Sequence, residues 1–386
     1  LYQVLKTFFC LFLFCFSGNV NPNQIAAKDH LIKKSSASRI VSSKILDLYG
    51  FSDVKKRKAM NALLKETGIM MAFENQEHGI FTKKDQAQND VRNIALLVKE
   101  TQEKWVKRLP GLDRSHVKDG KKFSKSAEKR VLICLKTLGF VDQVRPTQKK
   151  TDVICILGAR GPTMLQRIQY GGKLVGSRVK TQHIVLLAGE RYAELALDGS
   201  EDELKAVAKK EGLGHWNQLT ETHLIRNLYH SSKLSQKNIP TTIIDTPRGD
   251  LPRPTTQTTM VAFMDFLKQN PHIDRVVFVS SQPYVAYQKA VIDSIFLANS
   301  TKLSYEVVGG GVSPTHAVEK ILAELGSFLW AQGPGTISRI SDFKKLPQPA
   351  NEQESVKKTL QNVYGHNPLL YQALPSAWQV KQGIMP

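Results

Sequence analysis

The sequence predicts an α/β protein, with a Rossmann-like, doubly wound, mostly parallel sheet preceded by a helical N-terminal region. Three observations predict it. Five short apolar runs in the second half of the chain each end in Gly, Ser or Asp, segments of helical length and spacing separate them, and the charge balance changes near residue 150. Strands buried on both faces read as continuous apolar runs, and helix-length connections between them imply parallel, right-handed crossovers.

The bulk numbers narrow the field. The chain has 386 residues, 54 Lys/Arg against 34 Asp/Glu, a net charge of +20, 41% hydrophobic and 23% charged residues. That apolar share excludes a disordered tail. The lack of an internal period argues against a solenoid, and the lack of a second long apolar stretch against a polytopic membrane protein.

Taken in order, residues 1–18 hold the run KTFFCLFLFCFSG at 6–18, one cation before about ten apolar residues. This fits the core of a signal peptide or a short anchor and falls below the roughly 20 residues of a membrane-spanning helix. Residues 21–150 form a basic region, with 28 Lys/Arg against 14 Asp/Glu, where 151–386 has 25 against 20. Apolar residues at helical spacing predict helices over 43–48, 54–71, 87–106 and 126–138. The stretch 109–125 is polar and breaker-rich and reads as a loop. The run KKRK at 55–58 lacks the flanking aromatics that stack on bases, so nucleic acid is not the expected partner. A solvated helix face is the plain reading of it, and an acidic membrane surface or polymer the other.

Residues 151–330 carry the α/β pattern. Strands are expected at 152–157 (DVICIL), 183–188 (HIVLLA), 241–244 (TTII), 275–279 (RVVFV) and 303–308 (LSYEVV). Helices are expected at 163–174, 221–234, 256–267, 285–297 and 315–330, with 201–215 as a charged helical insertion. Residues 331–386 read as an extended C-terminal tail with one short helix near 354–364. Cys134 and Cys155 sit inside apolar runs and are expected as buried free thiols.

In such sheets ligands sit outside the carboxyl ends of the strands. The first turn offers Gly158, Arg160 and Gly161, followed by a helix N-terminus whose free N–H groups favour an anion. The second offers Gly189 and Arg191, to bind substrate or to pair with neighbours on the rim. Glu221 opens the next helix behind a capping Thr220. The third turn is long and carries Arg253 and Thr256. The fourth carries Ser281 and Tyr284. No GxGxxG fingerprint is present, which weighs against a nicotinamide cofactor, and no cofactor is named. HExxH, HxxxH and paired DxD motifs are missing, so no metal is expected. Without a GxSxG elbow, serine hydrolysis has little support.

The order of these turns resembles the YdcF/SanA-like family of envelope-associated proteins, over roughly residues 151–310. Gly158 and Arg167 match that family's first strand end and the Arg of its next helix. Gly189 matches its second turn and Glu221 its helix-opening acid. Thr256 matches the Thr that follows the third strand, and Val279, Ser280 and Ser281 the start of its VTS motif. Thr259 stands where the family has Asn, Tyr284 where it has His, and Tyr287 where it has Arg. The resemblance implies a Rossmann-like fold, an envelope role and a nucleotide-like or phosphorylated ligand.

Together these readings lead to an exported or envelope-associated protein that binds an anionic small molecule. The expected binding residues are Gly158, Arg160, Arg167, Gly189, Arg191, Arg253, Thr256, Ser281 and Tyr284. Glu221 is the candidate base for transfer or hydrolysis. The alternative is a non-catalytic interaction protein whose basic helical region contacts an acidic surface.

Overall fold

The computed structural model describes residues 39–42, 46–47, 49–69, 71–74, 94, 97–98, 100–106, 123–249, 253–299, 301–313 and 316–339. The apolar run at 6–18 and the short helix expected at 354–364 lie outside them, as does most of the loop expected at 109–125. The chain divides into two compact units, Gly139–Ala331 and the remainder.

In the remainder, β1 (Arg39–Ser42) is followed by α1 (Val54–Glu66) and then by β2 (Met71–Glu74), which pairs with β1 in parallel. The sequence pattern carries a helix on to residue 71, but α1 ends at Glu66. Gly68 adopts φ +72°, a left-handed conformation that ends the helical run. Asp53 caps the start of α1, its carboxylate accepting from the Lys56 N–H at 2.7 Å. Ala59, Met60, Leu63 and Leu64 form its buried stripe. The KKRK run lies in its first turns as a largely solvated face, with Arg57 paired to Asp47 at 2.7 Å. A π-helical turn, Gln102–Val106, buries Trp105. Then α2 (Lys125–Thr137), capped by Ser124, buries Val131, Cys134 and Leu135. Arg130 on α2 grips the Glu66 carboxylate through Nε and Nη2, at 2.7 and 3.0 Å. The region is thus helical with a two-stranded parallel pair, which four-residue segments 30 residues apart do not announce.

The second unit alternates strand and helix: β3 (Val153–Leu157), α3 (Gly161–Ser177), β4 (His183–Gly189), α4 (Glu201–Lys210), α5 (Glu221–His230), β5 (Thr241–Thr246), α6 (Thr256–Gln269), β6 (Arg275–Ser281), α7 (Val285–Ala298), β7 (Ser304–Gly310) and α8 (Val318–Arg339) as far as Ala331. The five strands form one parallel sheet in the order β5-β4-β3-β6-β7. This is the doubly wound, Rossmann-like α/β fold, with its topological switch point between β3 and β6.

Strand periodicity divides the core. Ile154, Ile156, Ile184, Leu186, Val277 and Val279 face Met164 and Ile168 of α3. The alternate residues Val153, Cys155, Leu157, Val185 and Phe278 face Met260 and Phe263 of α6 and Ile292 and Phe296 of α7. Phe278 meets Phe263 edge-on at 5.3 Å. Cys134 and Cys155 are buried free thiols, and burial pushes both above the ordinary thiol range.

Element ends differ from the expectation in places. The third strand runs on to Thr246, and α5 stops at His230, four residues early. The expected insertion is α4, opened by a capping box between Ser200 and Glu203. The last helix continues past Trp330 to Arg339, so the first residues of the expected tail are helical.

Candidate functional site

The five strands deliver their C-terminal ends to one edge of the sheet. Gly158 follows β3, and its N–H donates to the Leu187 carbonyl at 2.6 Å. A Cβ at Gly158 would run into the Glu221 Oε1 and come within 2.7 Å of the Leu187 carbonyl oxygen. Glycine is therefore required by close approach, and the Glu221 carboxyl fills the space above it.

Glu221 begins α5, where Thr220 and His223 form a reciprocal cap. Its Oε2 accepts from Arg191 Nε at 3.0 Å, and its backbone N–H donates to the Arg191 carbonyl. Arg191 also donates from Nη1 and Nη2 to both oxygens of Asp198, at 2.8 and 2.9 Å, and from Nη2 to the Ala159 carbonyl. Asp198 in turn accepts from the backbone N–H of Gly161 at 2.9 Å and of Glu194 at 2.9 Å. This corrects the expectation at the first turn. The leading N–H of α3 is bonded to Asp198 instead of waiting for a ligand, and a Cβ at Gly161 would collide with the Asp198 carbonyl. Arg191 is a rim-pairing residue, bonded to its acids within a buried knot.

The charges of the knot follow from its packing. Burial works against the Arg191 charge, but its bonds to Asp198 and the charge of Glu221 hold it above its ordinary value. Burial would raise Asp198, yet the bonds and charge of Arg191 prevail and hold it below the usual carboxylate range. Burial pushes Glu221 above that range, against the opposing charges of Arg191 and Arg167. A carboxyl biased toward its neutral form and bonded to Arg191 is a poorer base than the sequence reading assumed.

Arg167 lies in the second turn of α3, 2% exposed. Its Nη1 donates to the carbonyls of Leu157 and Gly158 at 2.9 and 2.5 Å, and its Nε to Ser281 Oγ at 3.3 Å. The guanidinium lies 5.8 Å from the Tyr284 ring centre. Among the described residues it hydrogen-bonds no carboxylate, and burial brings its pKa down to about 10. Gly158, Arg167, Arg191, Glu221, Ser281 and Tyr284 are thus brought together across the switch point. Glu324 of α8, 5% exposed, adds its charge to that of Glu221 around Arg167. The sequence reading passed over it, because a Glu within an apolar helix pattern looks like a solvated position. Asp198 was missed too, since Asp-Gly after a strand reads as a turn.

The other expected residues lie apart from this group or point elsewhere. Gly189 sits under Pro254, whose Cβ and Cγ would be 2.7 Å from an added Cβ. Thr256 is the first residue of α6, which Thr255 caps in reciprocal bonds with Thr258. Arg253 is half-buried in the same loop. Arg160 occupies the N-cap of α3 without a side-chain cap bond.

Beside α3 a cavity of about 490 Å³ opens. Ser281, Gly310 and Gly311, at the ends of β6 and β7, line one side of it. Among the described residues its walls carry Arg145, Lys173 and Arg178, the amides of Gln143, Gln166 and Gln169, and no carboxylate. Tyr170 at its base donates to the Val144 carbonyl at 2.9 Å and accepts from Gln143 at 3.0 Å. Burial raises the Tyr170 phenol, while the Gln143 bond and the charges of Arg145 and Arg178 act the other way. Of the expected site residues, Ser281 lines this cavity, and its cations are ones the sequence reading had not singled out. Among the described residues no cluster of three or more His, Cys, Asp or Glu is placed to hold a metal ion. No helix among them is long and apolar enough to cross a membrane. No family model matches the chain, and no curated protein matches it either.

Proposed function

We propose that this chain is an exported or envelope-associated α/β protein that binds an anionic small molecule, nucleotide-like or phosphorylated, in the cavity beside α3. One observation carries the reading: among the described residues, the cavity wall holds three cations from two chain segments and no carboxylate. The cavity volume lies within the usual range for small-molecule sites, and it opens at the sheet edge where doubly wound folds take ligands. Ser281, bonded to the buried Arg167, and the glycines at the end of β7 line it where the strands end. The envelope location is supported by the apolar run at 6–18 and by the resemblance to the YdcF/SanA-like family. Transfer or hydrolysis at a ligand bound there would need a base other than Glu221, which does not line the cavity. The alternative, an interaction protein working through its basic helices, draws less support, because Arg57 in the KKRK run is already paired to Asp47.

Isothermal titration of the full chain with inorganic phosphate, pyrophosphate and AMP tests the reading. Binding should weaken as salt rises. Arg145→Ala, an exposed position, should lower affinity about tenfold, the effect of losing one charge-assisted bond. No binding of any of the three probes, or an Arg145→Ala protein that binds like wild type, refutes it.

A further inference from the structure

We infer that the natural ligand of this cavity is an elongated polyanion, a chain of linked anionic groups, and not a molecule with one compact charge. The inference rests on the anion-binding reading above and adds the ligand's shape. It comes from the way α3 builds the wall. Gln166, Gln169, Tyr170, Lys173, Ser177 and Arg178 all line the cavity. They recur at helical spacing, so one face of α3 forms the wall along its axis. From Gln166 to Arg178 that face runs about 18 Å at 1.5 Å per residue. A single phosphate at Ser281 and Gly310 would leave most of this length unused.

The polar groups are spread along the same line. Arg145 comes from the segment whose neighbour Val144 bridges to Gly309, so it stands near the strand ends. Lys173 and Arg178 stand toward the far end of α3. Among the described residues none of the three makes an ion pair or a side-chain hydrogen bond. The glutamine amides between them supply donors and acceptors without charge. The dipole of α3 also favours cations at its C-terminal end, which accounts for Lys173 and Arg178 taken alone. It accounts neither for Arg145, which belongs to another segment, nor for a wall whose described residues include no acid, beside a sheet edge that buries Asp198, Glu221 and Glu324. A repeating charge could come from a phosphate chain or from a carboxylated sugar chain. The groove chemistry is common to both.

The test compares chains with their own monomers on the full protein: linear polyphosphate against inorganic phosphate, and oligogalacturonate against galacturonate. At least one chain should bind tenfold or more tightly than its monomer, and the arm that wins names the source of the charge. Lys173→Ala/Arg178→Ala, at exposed positions, should remove most of that gain and flatten the salt dependence of chain binding, a loss at least tenfold greater than the same variant shows for the monomer. Chains that bind no more tightly than their monomers, or a double variant that keeps the full gain, overturn the inference and leave the anion-binding reading standing. Failure of every probe removes both.

Discussion

Arg191 and Arg167 both lie buried at the same edge of the sheet, 7% and 2% exposed, but their surroundings differ in kind. Arg191 is bonded to two carboxylates, Asp198 and Glu221, and through Asp198 to the start of α3. Arg167 is bonded to two carbonyls and a serine hydroxyl, and it reaches the wall of the basic cavity through that serine. Two arginines that look equally functional in the sequence therefore do different work. One ties the β3 and β4 turns together as a saturated ion pair. The other props open a strand end where a ligand is proposed to dock. Burial of a charge is by itself no mark of a binding residue, whereas the identity of its partners is.

The sharpest way to break this comparison is to remove each cation in turn. Arg191→Met leaves Asp198 and Glu221 buried without a counter-ion and should lower unfolding free energy by about 3–5 kcal/mol. Arg167→Met leaves neutral acceptors at its hydrogen-bonding positions, with Glu221 and Glu324 acting on it through charge alone, and should lower it by roughly half as much. Urea denaturation of the two variants measures both. Equal losses would mean that Arg167 is as much a structural pair as Arg191.

A smaller effect is expected where the knot touches the β3 turn. Gly158→Ala drives a methyl group against the Glu221 carboxyl and the Leu187 carbonyl. It should destabilise by about 1–3 kcal/mol, the range for an overpacked site that must shift backbone. A thermal-shift measurement that finds Gly158→Ala as stable as wild type would show that the Glu221 carboxyl is free to move off the turn.

The smallest effect is a pH dependence that separates the two acids of the knot. Asp198 is held below the usual carboxylate range, so its contribution is present above its unfolded pKa and lost as pH falls through the lower folded value. Glu221 is held above that range, so its contribution is full below its unfolded pKa and declines as pH rises through the higher folded value. Glu221→Gln keeps the shape and removes the titration. Its stability relative to wild type should therefore improve as pH rises from the acid side through the carboxylate range, a trend read from melting temperatures across a pH series. A gap that stays constant with pH would place Glu221 among ordinary ionised carboxylates.

Much of this was legible in the chain. The five strands were, because a strand covered on both faces needs apolar residues at every position, and runs such as VICIL and HIVLLA have no other economical reading. The turn residues were also legible, since the fold rule places function at the strand ends. What each turn residue does was not. Arg191 could bind substrate or pair on the rim until Asp198, seven residues on, was seen to meet it. The N-terminus of α3 looked open to an anion, but the chain's own Asp198 bonds its first N–H. The β1–β2 pair escaped because strands of four residues far apart carry little local signal. Glu324 escaped because Arg167, whose charge it faces, lies more than 100 residues away in the chain.

The sequence by itself determined the class of fold, the five parallel strands and the edge on which chemistry would lie. These follow from burial periodicity, which is local and repeats along the chain. Only the tertiary structure decided which arginine is neutralised and which is not, and where the uncompensated positive charge gathers. Charge compensation depends on distance in space, and α3, the segment around Arg145 and the ends of β6 and β7 become neighbours only when the sheet is wound.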